Sequence, residues 1–191
     1  MAMPNLSTHL IIEAPADRVW EIIGRRFERI GEWATAVPAS TGVGSTGSGS
    51  AVVTSATTTE VGTDGPVTGR VCTTGVRLMP RIIETIVAYN EANRSLTYEA
   101  SGMPGFVTAA RNTWTVTPVN EDTCRVTLNA RFDTSGLPAR LARWAILAQV
   151  RRTSRHLQND LAHYARHGIP SPRKQRQLAR LHRNHRRDRR S

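Results

Sequence analysis

Apolar and polar residues alternate along much of the chain, and a helical period replaces the alternation near residue 137. The segment around Thr8–Ala14 puts Leu10 and Ile12 on one face and predicts a first strand. A short helix follows: Pro15 suits its first turn, Asp17 complements its N-terminal dipole, and Val19, Trp20, Ile22 and Ile23 form an apolar stripe that Gly24 closes. Phe27, Ile30 and Trp33 recur three apart and predict a second short helix. Five strands are expected next, over 67–74, 81–90, 94–101, 106–118 and 123–133, with a tight turn at 90–93. The last is the cleanest, with Val126, Leu128, Ala130 and Phe132 on one side and Arg125, Thr127, Asn129 and Arg131 on the other. That is the mark of an antiparallel sheet with one covered face and one wet face.

One long helix is expected from Ser135 or Gly136 to Gly168, just ahead of Pro170, with Leu137, Leu141, Trp144, Ala145, Ala148, Leu157, Leu161 and Tyr164 along its apolar side. About 30 helical residues span roughly 45 Å, enough to cross a whole sheet. The predicted class is therefore α+β: a curved antiparallel sheet wrapped around a long C-terminal helix, with two short helices after the first strand. Such an arrangement leaves a gap between sheet and helix. Residues 41–66 are rich in Gly, Ser and Thr. Gly47–Ser50 reads as a loop, and 51–61 as a strand or hairpin arm. No GK[ST] ending occurs there, so no phosphate loop is expected.

Length and charge divide the chain in two. Its 191 residues suit one domain, 1–168, followed by a basic tail, 169–191. Nine Lys/Arg and the single acid Asp188 give residues 171–191 a charge of +8, out of +11 for the whole chain. The tail has two readings: a solvated, frayed basic extension, or a clamp for a polyanion, either nucleic acid or acidic lipid. No tyrosine, phenylalanine or tryptophan follows Tyr164, which counts against stacking on bases. No apolar run is long enough to span a membrane. The N-terminus lacks a basic region followed by a long apolar one, so a cytoplasmic protein is expected. Cys72 and Cys124 lie inside expected strands and read as buried thiols. His163 and His167 are one helical turn apart but lack a third ligand, and no GxSxG elbow is present. No catalytic constellation, metal or cofactor is expected.

Four strings carry a resemblance. "APADRVWEII" with "FERIGEWATAVP", "IIETIVAYNEANRSLTYEA", "TWTVTPVNEDTCRVTL" and "LARWAILAQV…LQNDLAHYAR" follow one another at the spacing of the START-like, helix-grip superfamily. They resemble its bacterial polyketide cyclase/dehydrase-like (SRPBCC) members. The likeness runs from residue 6 to about 166, and the basic tail is an addition to it. It implies an internal cavity for a hydrophobic small molecule such as a lipid, polyketide or aromatic metabolite, bound by a carrier. An aromatase/cyclase-type enzyme is the alternative. Ligand identity and oligomeric state stay open.

Within that resemblance, Ile82, Glu84, Ile86 and Ala88 share the face expected to point inward. Glu84 would then be a carboxylate in an apolar cavity, in need of a partner, a water or a raised pKa. Ala110, Asn112, Trp114 and Val116 share a face with Phe132; the other register would bring Arg111 inward to hold an anionic oxygen. Trp33 either lines the cavity mouth or packs in the core. Tyr98, Phe106, Trp114 and Trp144 are expected cavity walls, and residues 101–106 an entrance loop. The expected ligand-binding set is therefore Trp33, Glu84, Tyr98, Phe106, Asn112, Trp114, Phe132 and Trp144.

Overall fold

The computed structural model describes residues 6–44, 67–74, 79–135 and 143–188. The loop expected at Gly47–Ser50, the arm at 51–61, and Leu137 and Leu141 lie outside the described residues.

Strand β1 (Leu6–Ile12) leads into helix α1 (Ala16–Trp20), which continues as a π-helical turn over Glu21–Arg25. A tight 3-10 turn, Phe27–Arg29, runs into helix α2 (Ile30–Trp33). Six further strands follow: β2 (Ala39–Val43), β3 (Gly69–Thr73), β4 (Arg81–Asn90), β5 (Ser95–Ser101), β6 (Val107–Asn120) and β7 (Thr123–Thr134). The chain ends in helices α3 (Arg143–His167) and α4 (Pro172–Asp188). The seven strands form one sheet in the order β1-β7-β6-β5-β4-β3-β2, with every neighbour antiparallel. Strand β2 has no counterpart in the sequence reading, because its Ser, Thr and Gly carry no apolar alternation. It is paired nonetheless along its full length with β3.

Alternation decides what faces inward. Val126 and Leu128 on β7, opposite Val116 and Trp114 on β6, are buried with Leu96 of β5. Helix α1 fills the space above them with Val19 and Trp20, and α3 does so with Leu157, Leu161 and Ala165. Trp20 is tied down at both ends of its ring: it stacks on Tyr89 at 5.4 Å and donates from Nε1 to Glu91 Oε2 at 2.9 Å. Arg25 and Tyr89 also donate to Glu91, so the β4–β5 turn clamps the π-helical turn of α1. Gly168 ends α3 with φ +70°, a left-handed conformation that glycine adopts without Cβ strain.

Two expectations are corrected here. A register shift between Ile86 and Ala88 turns Ala88 outward and brings Tyr89 opposite Leu96 on the inner side, because an extra residue in one strand reverses the parity of all that follow. The C-terminal segment is not frayed but is a helix docked on the body. Ser171 donates to Asp160 Oδ1 at 2.8 Å, and Gln177 Nε2 to the Thr35 carbonyl at 3.2 Å. Lys174, the only lysine in the chain, is fully buried. Its three N–H groups meet three oxygens: Val37 O at 2.8 Å, Pro38 O at 3.2 Å and Gln177 Oε1 at 3.1 Å. A compact ammonium fits that trio as a planar guanidinium does not. Burial pulls its pKa down to about 8, against the opposing attraction of Asp160.

Candidate ligand-binding site

The inner face of the sheet is not uniform. Toward β3, β4 and the far ends of β6 and β7, the inward residues Ile82, Glu84, Ile86, Ala100, Asn112 and Phe132 are only half-buried. The register groups them: Glu84 lies opposite Ala100, Ile86 opposite Tyr98, Tyr98 opposite Asn112, and Ala110 opposite Phe132. This half-open end contrasts with the filled end around Val126.

An ion pair anchors it. Arg70 on β3 lies opposite Glu84 on β4, and Arg70 Nε donates to Glu84 Oε2 at 2.5 Å. Gly69 permits that close strand pairing, since a Cβ there would stand 2.5 Å from the Glu84 carbonyl oxygen. Arg70 is 2% exposed. Its guanidinium carbon sits 3.7 Å from the centroid of the Phe27 ring and 5.4 Å from that of Tyr98. It also donates from Nη1 to the Phe27 carbonyl. A buried charge persists only when paired and hydrogen-bonded, and Arg70 has a carboxylate, a carbonyl and an aromatic face. Burial is the largest single influence and works against its cation, but the attraction and hydrogen bond of Glu84 together with Tyr98 and Cys72 outweigh it, and the net shift is upward.

The neighbouring groups are chemically quiet. Cys72 places Sγ 3.6 Å from Glu84 Oε2, and burial reinforced by that carboxylate pushes its pKa up to about 12. It stays a thiol at neutral pH. Burial first, and Glu84 second, raise the Tyr98 phenol, which also takes a hydrogen bond from Trp114. It stays a protonated phenol, whose O–H can donate a hydrogen bond.

Glu84, Tyr98, Asn112, Trp114 and Phe132 all face inward. Asn112 inward settles the register; Arg111 points out and donates to Glu99. Trp114 belongs to the filled end, buried between Leu96 and Leu128. Trp33 is 2% exposed and packs in the core cluster, with no acceptor for Nε1 among the described residues. Trp144 on α3 is 78% exposed, and Phe106, just before β6, is 38% exposed.

Arg70 escaped the sequence reading. The need for a partner at Glu84 was the only signal, and choosing Arg70 takes the β3–β4 register that sets the two residues opposite each other. Among the described residues no three His, Cys, Asp or Glu side chains come together to hold a metal ion. No described helix is long and apolar enough to cross a membrane.

Comparison with known proteins agrees with this architecture. A family model described as polyketide cyclase/dehydrase and lipid transport matches residues 3–166. Against curated proteins the sequence finds no match. An aromatase/cyclase from a Streptomyces species superposes with a TM-score of 0.63 at 15% identity, covering 85% of this chain and 93% of that one. A START superfamily protein from Mycobacterium smegmatis gives 0.58 at 11% identity, over 85% and 97%. Norcoclaurine synthase from Thalictrum flavum, solved with dopamine and hydroxybenzaldehyde, gives 0.56 at 13% identity, over 85% and 86%. At such identities these structures share the fold alone.

Proposed function

The chain belongs to the polyketide cyclase/dehydrase and lipid transport family, and from that premise we propose that it carries a hydrophobic small molecule at the half-open end of its sheet. The observation behind this reading is the Arg70–Glu84 pair, a polar anchor set among half-buried apolar residues of the inner face. Ile82, Ile86 and Phe132 would supply apolar contact, and Asn112 a donor and an acceptor that fix orientation. Burying about 300 Å² of apolar guest surface contributes about 7 kcal/mol before association costs, and micromolar binding takes about 8 kcal/mol net, so polar contacts must add to the apolar burial. The free, buried thiols of Cys72 and Cys124 suit a reducing compartment, and the reading places the protein in the cytoplasm.

Native mass spectrometry of the purified protein tests the proposal. An apolar adduct that solvent extraction removes, and that Phe132→Ala weakens, is the expected result. A bare polypeptide mass that never shifts on addition of anilinonaphthalene sulfonate overturns it.

One observation favours an enzymatic reading as well. Arg70, Glu84 and Tyr98 form a cation, a carboxylate and a phenol around one point, a set suited to enolising a ketone. Arg70 replaces Arg111 as the group for an anionic oxygen, because Arg111 faces outward. An aromatase/cyclase-type activity predicts turnover of a poly-β-ketone that collapses in Glu84→Gln while guest binding survives. Equal turnover in the two proteins excludes it.

A further inference from the structure

Helix α4 lies beyond the residues that the family model matches, and its two faces differ. Ser171, Lys174, Gln177 and Leu178 turn toward the body. Arg173, Arg176, Arg180 and Arg183 are all exposed. Their spacing of three, four and three confines them to an arc of about 80°, in a row about 15 Å long. Among the described residues no carboxylate pairs with any of the four; Arg173 reaches only His156, at 3.5 Å. The row is therefore a fixed, uncompensated line of positive charge, held in place by buried hydrogen bonds on the opposite side of the helix.

We propose that this row docks the protein on an anionic lipid surface, from which a hydrophobic guest is taken or to which it is delivered. The delivery clause rests on the guest-binding reading above; the docking clause does not. Charge complementarity names an anion, and two features select lipid over nucleic acid. Leu181, next to Arg180 in the sequence, and Ile169, at the entry to α4, stand exposed. Basic residues flanked by exposed apolar ones suit the headgroup boundary of a bilayer. No tyrosine, phenylalanine or tryptophan follows Tyr164 to stack on bases.

Vesicle flotation of the full chain provides the test. The protein should float with phosphatidylcholine vesicles containing roughly a third phosphatidylglycerol and stay behind with phosphatidylcholine alone. Arg176→Gln/Arg180→Gln/Arg183→Gln should weaken binding about 100-fold, since each arginine near the surface is worth about 1 kcal/mol and 1.4 kcal/mol is tenfold. Arg81→Gln/Arg125→Gln/Arg131→Gln removes the same charge from the exposed side of the sheet and should stay within about threefold of wild type on the same scale. Equal losses in both triple variants, or binding indifferent to phosphatidylglycerol, overturn the proposal. So does tighter binding to duplex DNA or to RNA at the same salt. Phe132→Ala separates the two readings, because it should lower guest occupancy and leave flotation unchanged.

Discussion

The two ends of the sheet's inner face carry the same alternation and have different fates. Around Val126, Leu128 and Trp114 every inward side chain is buried, because α1 and α3 present Trp20, Val19 and Leu161 to it. Around Ile82, Ile86 and Phe132 inward side chains remain half-buried, and the polar pair Arg70–Glu84 sits among them. A strand pattern states which residues face in. Only the elements above the sheet decide whether that face is filled.

Substitutions should therefore divide by location. The largest effect is expected at the filled end. Trp20→Ala removes a fully buried ring, its stacking on Tyr89 and its bond to Glu91, and should cost about 4 kcal/mol in urea unfolding. A cost below about 1 kcal/mol would mean that this end is not close-packed.

Next comes the anchor. Glu84→Gln strands the buried Arg70 cation and should cost about 3 kcal/mol, whereas Arg70→Met with Glu84→Leu should recover most of that loss. A double variant no better than the single one would show that the pair's remaining hydrogen bonds, not its charge, hold the two strands.

A smaller effect separates the docked helix from both ends. The Lys174 pKa of about 8 lies below its unfolded value, so the native state releases a proton sooner and the unfolded state binds more protons between the two. Stability contributed by this group thus rises with pH, by about 2 kcal/mol between pH 8 and pH 10. Raised Tyr98 and Cys72 pKa values work in the opposite sense over the alkaline range. The difference in pH slope between wild type and Lys174→Met isolates the lysine; identical slopes would place its ammonium in water.

The smallest stability change is expected at Phe132→Ala. Its half-buried ring leaves little to lose, about 1 kcal/mol, while guest affinity should fall at least tenfold. A large stability loss with unchanged affinity would assign Phe132 to the filled end instead.

How far these features can be read from the sequence follows from the same physics. Alternation on β6 and β7 specified which side chains of Asn112, Trp114, Val126 and Phe132 share a face, since period two leaves no freedom once one face is apolar. The extra residue that reverses parity in β4 has no composition signal, so Ala88 was assigned the place that Tyr89 takes. Strand β2 is defined by its partner β3 and not by its own residues. Glu84 was legible as a carboxylate needing a partner; Arg70 was not, because a lone arginine in an apolar strand reads as an outward residue until the strands are aligned. The tail's charge was plain, but its docked face depends on Lys174 finding the Val37 and Pro38 carbonyls, which lie 136 or more residues away in the chain.

Amide and methyl chemical-shift mapping with anilinonaphthalene sulfonate tests the central claim most directly. Shifts concentrated at Ile82, Ile86, Asn112 and Phe132, with Val126 and Leu128 unmoved, are predicted. A hollow of about 670 Å³ on the opposite face of the sheet, bordered by Thr85, Glu99, Arg111 and Arg131, provides the competing address. Shifts confined to those residues, or no shifts anywhere, would contradict an interior guest.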